Sequence, residues 1–240
     1  MTMTEIPGRV VLWCCLSAVG LFAVGGGVFY GIGEWRAEPL SPMVALLCGF
    51  AIEVIALVLP LYIFAVRRHW RGWAALGFVP TRFGAVALAL LAWFAALPLI
   101  GFAEEAVSAW FDLGDRNPQF DSISELLGGP GALVVAILAI GVIVPIAEEA
   151  FFRGLLFGWL RGRLGLVAGV LLSSLLFSAV HVFDVVLLPV FLLGVLFAAI
   201  YALSKSLWPA VIAHGTHNTL QLAWLYAAVN YDLPLPGFNV

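Results

Sequence analysis

Three clusters of polar residues lie inside runs apolar enough to cross a bilayer, and their spacing is that of acid–base chemistry. The first is Glu148-Glu149 with Arg153 one helical turn on. The second is His181, four residues after Phe177, and the third is His214 with Asn218 one turn on. An ionisable group at the centre of a membrane costs about 3 kcal/mol or more unless it meets a partner or a cavity, so such groups mark a functional site by default. Glu149 and Arg153 form an i, i+4 pair with the acid leading, the favourable order. That pair offsets the burial of one carboxylate and leaves Glu148 with no local cation, a state suited to a general base or acid. Pairing for helix packing alone is the plainer reading, but two adjacent acids are a costly way to pack an apolar span.

His181 by itself reads as a satisfied polar group at a span end; its position says more. The segments on either side of Arg161–Gly165 form an antiparallel hairpin, with Glu148 13 residues before the turn and His181 16 after it. At about 1.5 Å per residue the two stand within roughly 5 Å of the same height and can meet. Asp184 reads as a loop acid. In the third cluster His214, His217 and Asn218 are i, i+3 and i+4 and share one face. The Asn218 amide and a His214 ring nitrogen are fixed donors of the kind that stabilise a developing oxyanion; the plainer reading is interhelical hydrogen bonding. Gly215, beside Ala213, invites close approach of another helix. His214 lies eight residues past a turn at Ser206, shallower than His181 by counting, and a tilt or a break near Pro209 would close that gap.

The elements that must hold these groups follow from composition. The 240 residues are 63% hydrophobic and 10% charged, with a mean hydropathy of +1.09. No soluble core of this length absorbs that much apolar surface. A span needs about 20 apolar residues, and seven stretches qualify: Val10–Gly33, Met43–Val66, Gly84–Phe102, Gly131–Phe152, Leu166–Val182, Val185–Leu203 and Leu207–Val229. These are helix-length runs, not ten-residue alternating strands. The expected fold is therefore all-α, a polytopic membrane bundle of about seven to eight transmembrane helices, with one of the last three tilted, broken or re-entrant. The first run is too long for a signal-peptide core and reads as a retained helix.

With the N-terminus in the cytoplasm, Arg9, Arg67, Arg68, Arg71, Arg82, Arg153, Arg161, Arg163 and Lys205 fall inside and only Arg36 and Arg116 outside. That is the positive-inside pattern. Glu34, Glu38, Glu104, Glu105, Asp112, Asp115, Asp121, Glu125, Asp184 and Asp232 fall outside. Trp35, Trp70, Trp73, Trp110, Trp159 and Trp208 lie near span ends, as an interfacial belt requires. Cys14, Cys15 and Cys48 have no metal or disulfide spacing and read as packing residues; palmitoylation of Cys14 and Cys15 is the alternative.

Three parts are expected: residues 1–130, N-terminal helices with an acidic external loop (Ala103–Pro130) in which Phe120–Leu127 could form a short interfacial helix; residues 131–229, the catalytic core; and a tail, 230–240. Glu53, alone in the second span, reads as a hydrogen-bonded or protonated group facing the bundle, or as part of a cavity wall. Glu104-Glu105 lacks a cation one turn on and reads as solvated surface.

The ordered motifs EExxxR, FxxxH and HxxxN over about 131–220 closely resemble the CPBP family. That family comprises the CAAX-type prenyl endopeptidases, their bacterial relatives and the bacteriocin-processing or immunity proteins also called Abi. The resemblance implies an intramembrane endopeptidase in which Glu148 and His181 activate water, His214 and Asn218 hold the oxyanion, and Glu149, Arg153 and Phe177 support the site. It implies a membrane-associated protein or peptide as substrate, without the prenyl group, and a bacterial plasma membrane as location; no nucleic-acid partner is expected. The family is often classed with metalloproteases. Glu148, Glu149, His181 and His214 could ligate Zn²⁺, or Glu148 and His181 could work without metal; HExxH and the Gly-x-Ser-x-Gly elbow are absent. Two rivals stand beside this reading. One is a non-enzymatic immunity or partner-binding scaffold of the same fold, the other a transporter with an intramembrane proton relay.

Overall fold

A computed structural model describes residues 6–35, 40–67, 69, 71–111, 123, 127–181 and 187–231. Among them lie seven helical segments: α1 (Gly8–Trp35), α2 (Pro42–Val66), α3 (Phe83–Phe111), α4 (Pro130–Leu164), α5 (Leu166–Ala179), α6 (Leu187–Ser204) and α7 (Trp208–Tyr231). A 3-10 corner, Gly72–Leu76, joins α2 to α3 and ends at Gly77, whose φ of 100° is open to glycine at little cost. The described residues are helical and carry no strand. Asp184, most of Phe120–Leu127 and residues 232–240 lie outside the described residues. So do Arg36, Glu38, Arg68, Trp70, Arg116 and the acids between 112 and 125.

Five helices, α1 to α4 and α6, are long and apolar enough to cross a membrane. Polar side chains are buried (Glu148, Glu149, Arg153, His214, His217), while Trp13, Phe22, Phe94 and Phe102 face outward. That inversion of the soluble pattern, on helices that satisfy their own backbone, is that of an integral membrane protein.

Two expected boundaries move. α3 runs on to Phe111, because nothing after Phe102 breaks the helix, and Glu104 joins Ile100 on the face turned inward. Glu104 is half-buried and lines the central cavity, so it is not the solvated surface acid expected; Glu105 is exposed. α4 runs twelve residues beyond Phe152, to Leu164, and turns at Gly165, where φ is 85°. α5 is correspondingly short.

α4 is not a regular α-helix. It passes through two π-helical stretches, Ile137–Ile143 and Glu149–Phe157, the second carrying Glu149 and Arg153. Such stretches free backbone carbonyls from the usual ladder and recur at functional sites. α1 packs on α2, α2 on α4, and α5 on α6; α3 packs on both α6 and α7, and the first π stretch packs on α7.

Candidate active site

α4 supplies the carboxylates. Glu148 is 4% exposed and Glu149 fully buried. Glu149 Oε1 stands 2.9 Å from Arg153 Nη1 and accepts a hydrogen bond from His214 Nδ1 at 3.0 Å. The Arg153 guanidinium also donates to the Gly194 carbonyl at 3.3 Å and lies over the Phe177 ring, 4.1 Å from its centroid. Phe197 approaches the same guanidinium at 5.6 Å. A fully buried cation with two acceptors and an aromatic face is well compensated.

Phe177 has several contacts. Its carbonyl accepts a hydrogen bond from His181 Nδ1 at 2.8 Å. Its ring packs edge-on against His181 and His214, with centroids 4.8 and 5.8 Å away. The FxxxH spacing thus places one aromatic residue between the arginine and both imidazoles.

The two histidine tautomers follow from their partners. A carbonyl only accepts, so His181 Nδ1 carries its proton and, in the neutral ring, Nε2 is a free lone pair. That nitrogen faces Glu148 Oε1 at 3.9 Å. His214 donates from Nδ1 to Glu149, which turns its Nε2 toward Glu148 Oε2 at 3.6 Å. Phe197 stacks on the His214 ring at 4.8 Å and 20°. Two imidazoles, one just past the end of α5 and one on α7, therefore converge, each through Nε2, on the two oxygens of one carboxylate.

The depth gap at His214 closes without a break at Pro209. α7 is continuous from Trp208, with Pro209 in the first turn, where a missing N–H is tolerated. The turn before it is buried rather than superficial. Leu207 N–H donates to the Gly77 carbonyl at 2.9 Å, Ser206 Oγ to the Val79 carbonyl at 2.7 Å, and Tyr201 Oη to the Leu76 carbonyl at 3.0 Å. α7 therefore starts beneath the 3-10 corner, deeper than counting from a surface turn suggests.

Asn218 lies one turn beyond His214, and its Nδ2 donates to the Ile140 carbonyl at 3.0 Å. Ile140 belongs to the first π stretch, so the amide engages a carbonyl within that irregular segment. Gly215 does permit close approach: a Cβ there would meet the Gly141 carbonyl, and one on Gly141 would meet Thr219 Oγ1. His217 Nδ1 accepts a hydrogen bond from Trp93 Nε1 at 3.2 Å. Trp93, Phe197 and Gly194 carry no sequence signal as site residues, since Trp, Phe and Gly are ordinary in apolar helices.

These groups line a cavity of about 980 Å³, walled mainly by apolar side chains of α1, α2, α4, α6 and α7. Glu53 of α2 also lines it, as does Glu148. Of the two possibilities weighed for Glu53, the structure places it in the cavity wall.

Of the four side chains that could ligate zinc, Glu149 is turned to Arg153 and His214, both Nδ1 atoms are engaged, and Glu148 and the two Nε2 atoms face one another. Among the described residues no three His, Cys, Asp or Glu side chains are grouped as a metal centre.

Residues 130–220 match the family described as type II CAAX prenyl endopeptidase Rce1-like. A protein of Bacillus subtilis (strain 168) described as "Putative membrane peptidase YdiL" is 30% identical over 131 residues, 55% of this chain and 52% of that protein. The chain thus spans about half the length of the curated relative it matches. No solved structure matches. The matched segment, residues 130–220, is the one that carries the three motifs.

Proposed function

We propose that this protein is an intramembrane endopeptidase that hydrolyses a peptide bond of a membrane-associated protein or peptide. The observation that carries the reading is the convergence of His181 Nε2 and His214 Nε2 on the Glu148 carboxylate at the wall of an apolar cavity. In this reading the attacking water is held between Glu148 and the lone pair of His181 Nε2, and its proton passes to Glu148 as the oxygen attacks the scissile carbonyl. The oxyanion is met by the second amide hydrogen of Asn218 and by His214 Nε2, once that nitrogen holds a proton shared with Glu148. Glu148 then protonates the leaving amine, and the peptide bond breaks.

Glu149 and Arg153 take no proton in this scheme. They fix the His214 ring from behind, and Phe177 fixes His181. In this reading the glutamate and the imidazoles act without a metal. The cavity's apolar walls suit a hydrophobic peptide segment, and nothing in them requires a prenyl chain. An N-terminus in the cytoplasm and entry from that side follow from the distribution of arginines.

The test uses the full chain in nanodiscs with a panel of fluorogenic membrane-peptide substrates. Wild type is compared with Glu148→Gln, His181→Ala and His214→Ala, each with and without a chelator. Loss of cleavage by roughly 10²-fold or more in all three, with melting unchanged, is the expected result. Chelator sensitivity would overturn the metal-free assignment. Variants that keep full biological activity in cells would favour a partner-binding scaffold.

A further inference from the structure

His181, His214 and His217 all line the cavity, and the third is held differently from the other two. His181 and His214 each donate from Nδ1 to an oxygen. His217 Nδ1 instead accepts, from Trp93 Nε1 at 3.2 Å. An indole N–H only donates, so His217 Nδ1 is a lone pair and the proton of the neutral ring sits on Nε2. The two rings meet edge-on, 6.2 Å apart at 79°, and both residues are buried. A second ring proton would set two N–H groups against each other, so the contact also favours the neutral imidazole.

The Nε2–H is left to the cavity. Among the described residues it has no hydrogen-bond partner, and Nε2 is not one of the buried polar atoms closed off without one. His217 is part of the cavity lining and Trp93 is not, so the indole stands behind the imidazole. A donor in so apolar a wall is costly until it meets an acceptor. Main-chain carbonyls of a peptide drawn into the same wall have the matching need.

Position on α7 says which carbonyl. At about 100° per residue, His217 and Asn218 fall on opposite sides of His214 round the helix. The oxyanion is met on the Asn218 side, so His217 serves a different carbonyl. Residues three apart on a helix have Cβ atoms about 5–6 Å apart. Carbonyls that point the same way along an extended peptide repeat every two residues, about 6.6 Å. The two spacings agree.

We propose that His217 is a substrate-binding residue whose Nε2–H donates to a main-chain carbonyl of the bound peptide within two residues of the scissile bond. Trp93 is the positioning residue that fixes its tautomer and ring plane. The proposal rests on the hydrolytic reading above and adds the form of substrate that the cavity takes: an extended segment, whose carbonyls are free, rather than a helix, whose carbonyls are bonded internally. It also extends the site to α3, since Trp93 lies outside residues 130–220.

The experiment uses the full chain in nanodiscs and the fluorogenic membrane peptide that wild type cleaves best. Copies of that peptide carry an (E)-alkene in place of one amide at a time near the scissile bond, which removes a carbonyl and keeps the shape. Wild type, His217→Gln, His217→Leu and Trp93→Phe are compared, with melting temperatures. His217→Leu is expected to raise KM by roughly 10- to 100-fold with kcat little changed, because a buried carbonyl loses its donor. One alkene copy should cost wild type a similar factor and cost His217→Leu almost nothing more. That comparison is made between substrates on one protein, so a loss of stability does not affect it. His217→Gln should recover most of the affinity, since its amide oxygen accepts from Trp93 while its N–H donates onward. Trp93→Phe should raise KM and shrink the penalty of the same copy.

In ¹⁵N spectra of histidine-labelled wild type, the signal lost in His217→Gln should be that of an Nε2–H ring. In Glu148→Gln it should shift when the parent peptide binds and stay put with the critical alkene copy. A proton on Nδ1 would overturn the proposal, as would a His217→Leu variant that pays the same penalty as wild type for every copy. A His217→Gln variant no better than His217→Leu would overturn it too, and so would a bond that only joined α3 to α7, read as lower melting with KM unchanged. If instead Glu148→Gln cleaves as wild type does, the hydrolytic reading falls, and the tautomer and its response to peptide still decide the role of His217.

Discussion

At the scale of the residue, the Glu149–Arg153 pair shows how support and chemistry divide between neighbours in sequence. Glu149 is fully buried and holds both Arg153 and His214; Glu148, one position earlier, opens on the cavity. Removing one partner of a buried ion pair strands the other. Arg153→Leu should therefore destabilise the protein by about 3–5 kcal/mol, because Glu149 loses its counter-charge inside the bundle. The double variant Glu149→Leu/Arg153→Leu should recover much of that stability and none of the cleavage, since His214 then loses its acceptor. Thermal melts of the three proteins check this, and a double variant as unstable as the single one would contradict it.

At the scale of the element, the reach of His214 and Asn218 depends on how closely α7 lies against α4. A Cβ on Gly215 would meet the Gly141 carbonyl, so the two backbones touch at that point. Gly215→Ala should push α7 away from the first π stretch and cost about 1–3 kcal/mol, as overpacking does. Cleavage should fall further than stability alone predicts, because the Asn218–Ile140 bond is stretched as well. Gly20 in α1 has nothing within 4 Å of its would-be Cβ. Gly20→Ala should leave activity intact and raise stability by up to about 1 kcal/mol. Equal effects at the two glycines, measured by melting and initial rates, would remove close approach as the cause.

At the scale of the whole molecule, the cavity joins parts of the chain that differ in character. α1 contributes apolar wall, while α2, α3, α4 and α7 contribute polar groups, with His181 just past the end of α5. Ala18 of α1 is buried and lines the cavity. A larger side chain there would occupy substrate volume without touching the imidazoles. Ala18→Phe should raise KM by roughly tenfold with little change in kcat, the mark of lost uniform binding. A drop in kcat at unchanged KM would mean that α1 shapes the chemistry rather than the binding space.

The sequence by itself determined the bundle and its polar faces. Apolar run length fixes a membrane helix, because lipid offers the backbone no partner. Spacing of three and four residues fixes which side chains share a face, which is why Glu149–Arg153, Phe177–His181 and His214–Asn218 were legible as units. Counting from the turn at Gly165 also placed Glu148 level with His181. Only the tertiary structure decided the register between helices. The depth of His214 depends on the burial of the Ser206–Leu207 turn beneath Gly77 and Val79, a contact between segments well over a hundred residues apart. The inward turn of Glu104 required α3 to continue past Phe102. The partnerships of Trp93 with His217 and Phe197 with His214 had no local trace, because periodicity orders residues within a helix, whereas contacts between helices are set by small residues, buried turns and the volume of every side chain between them.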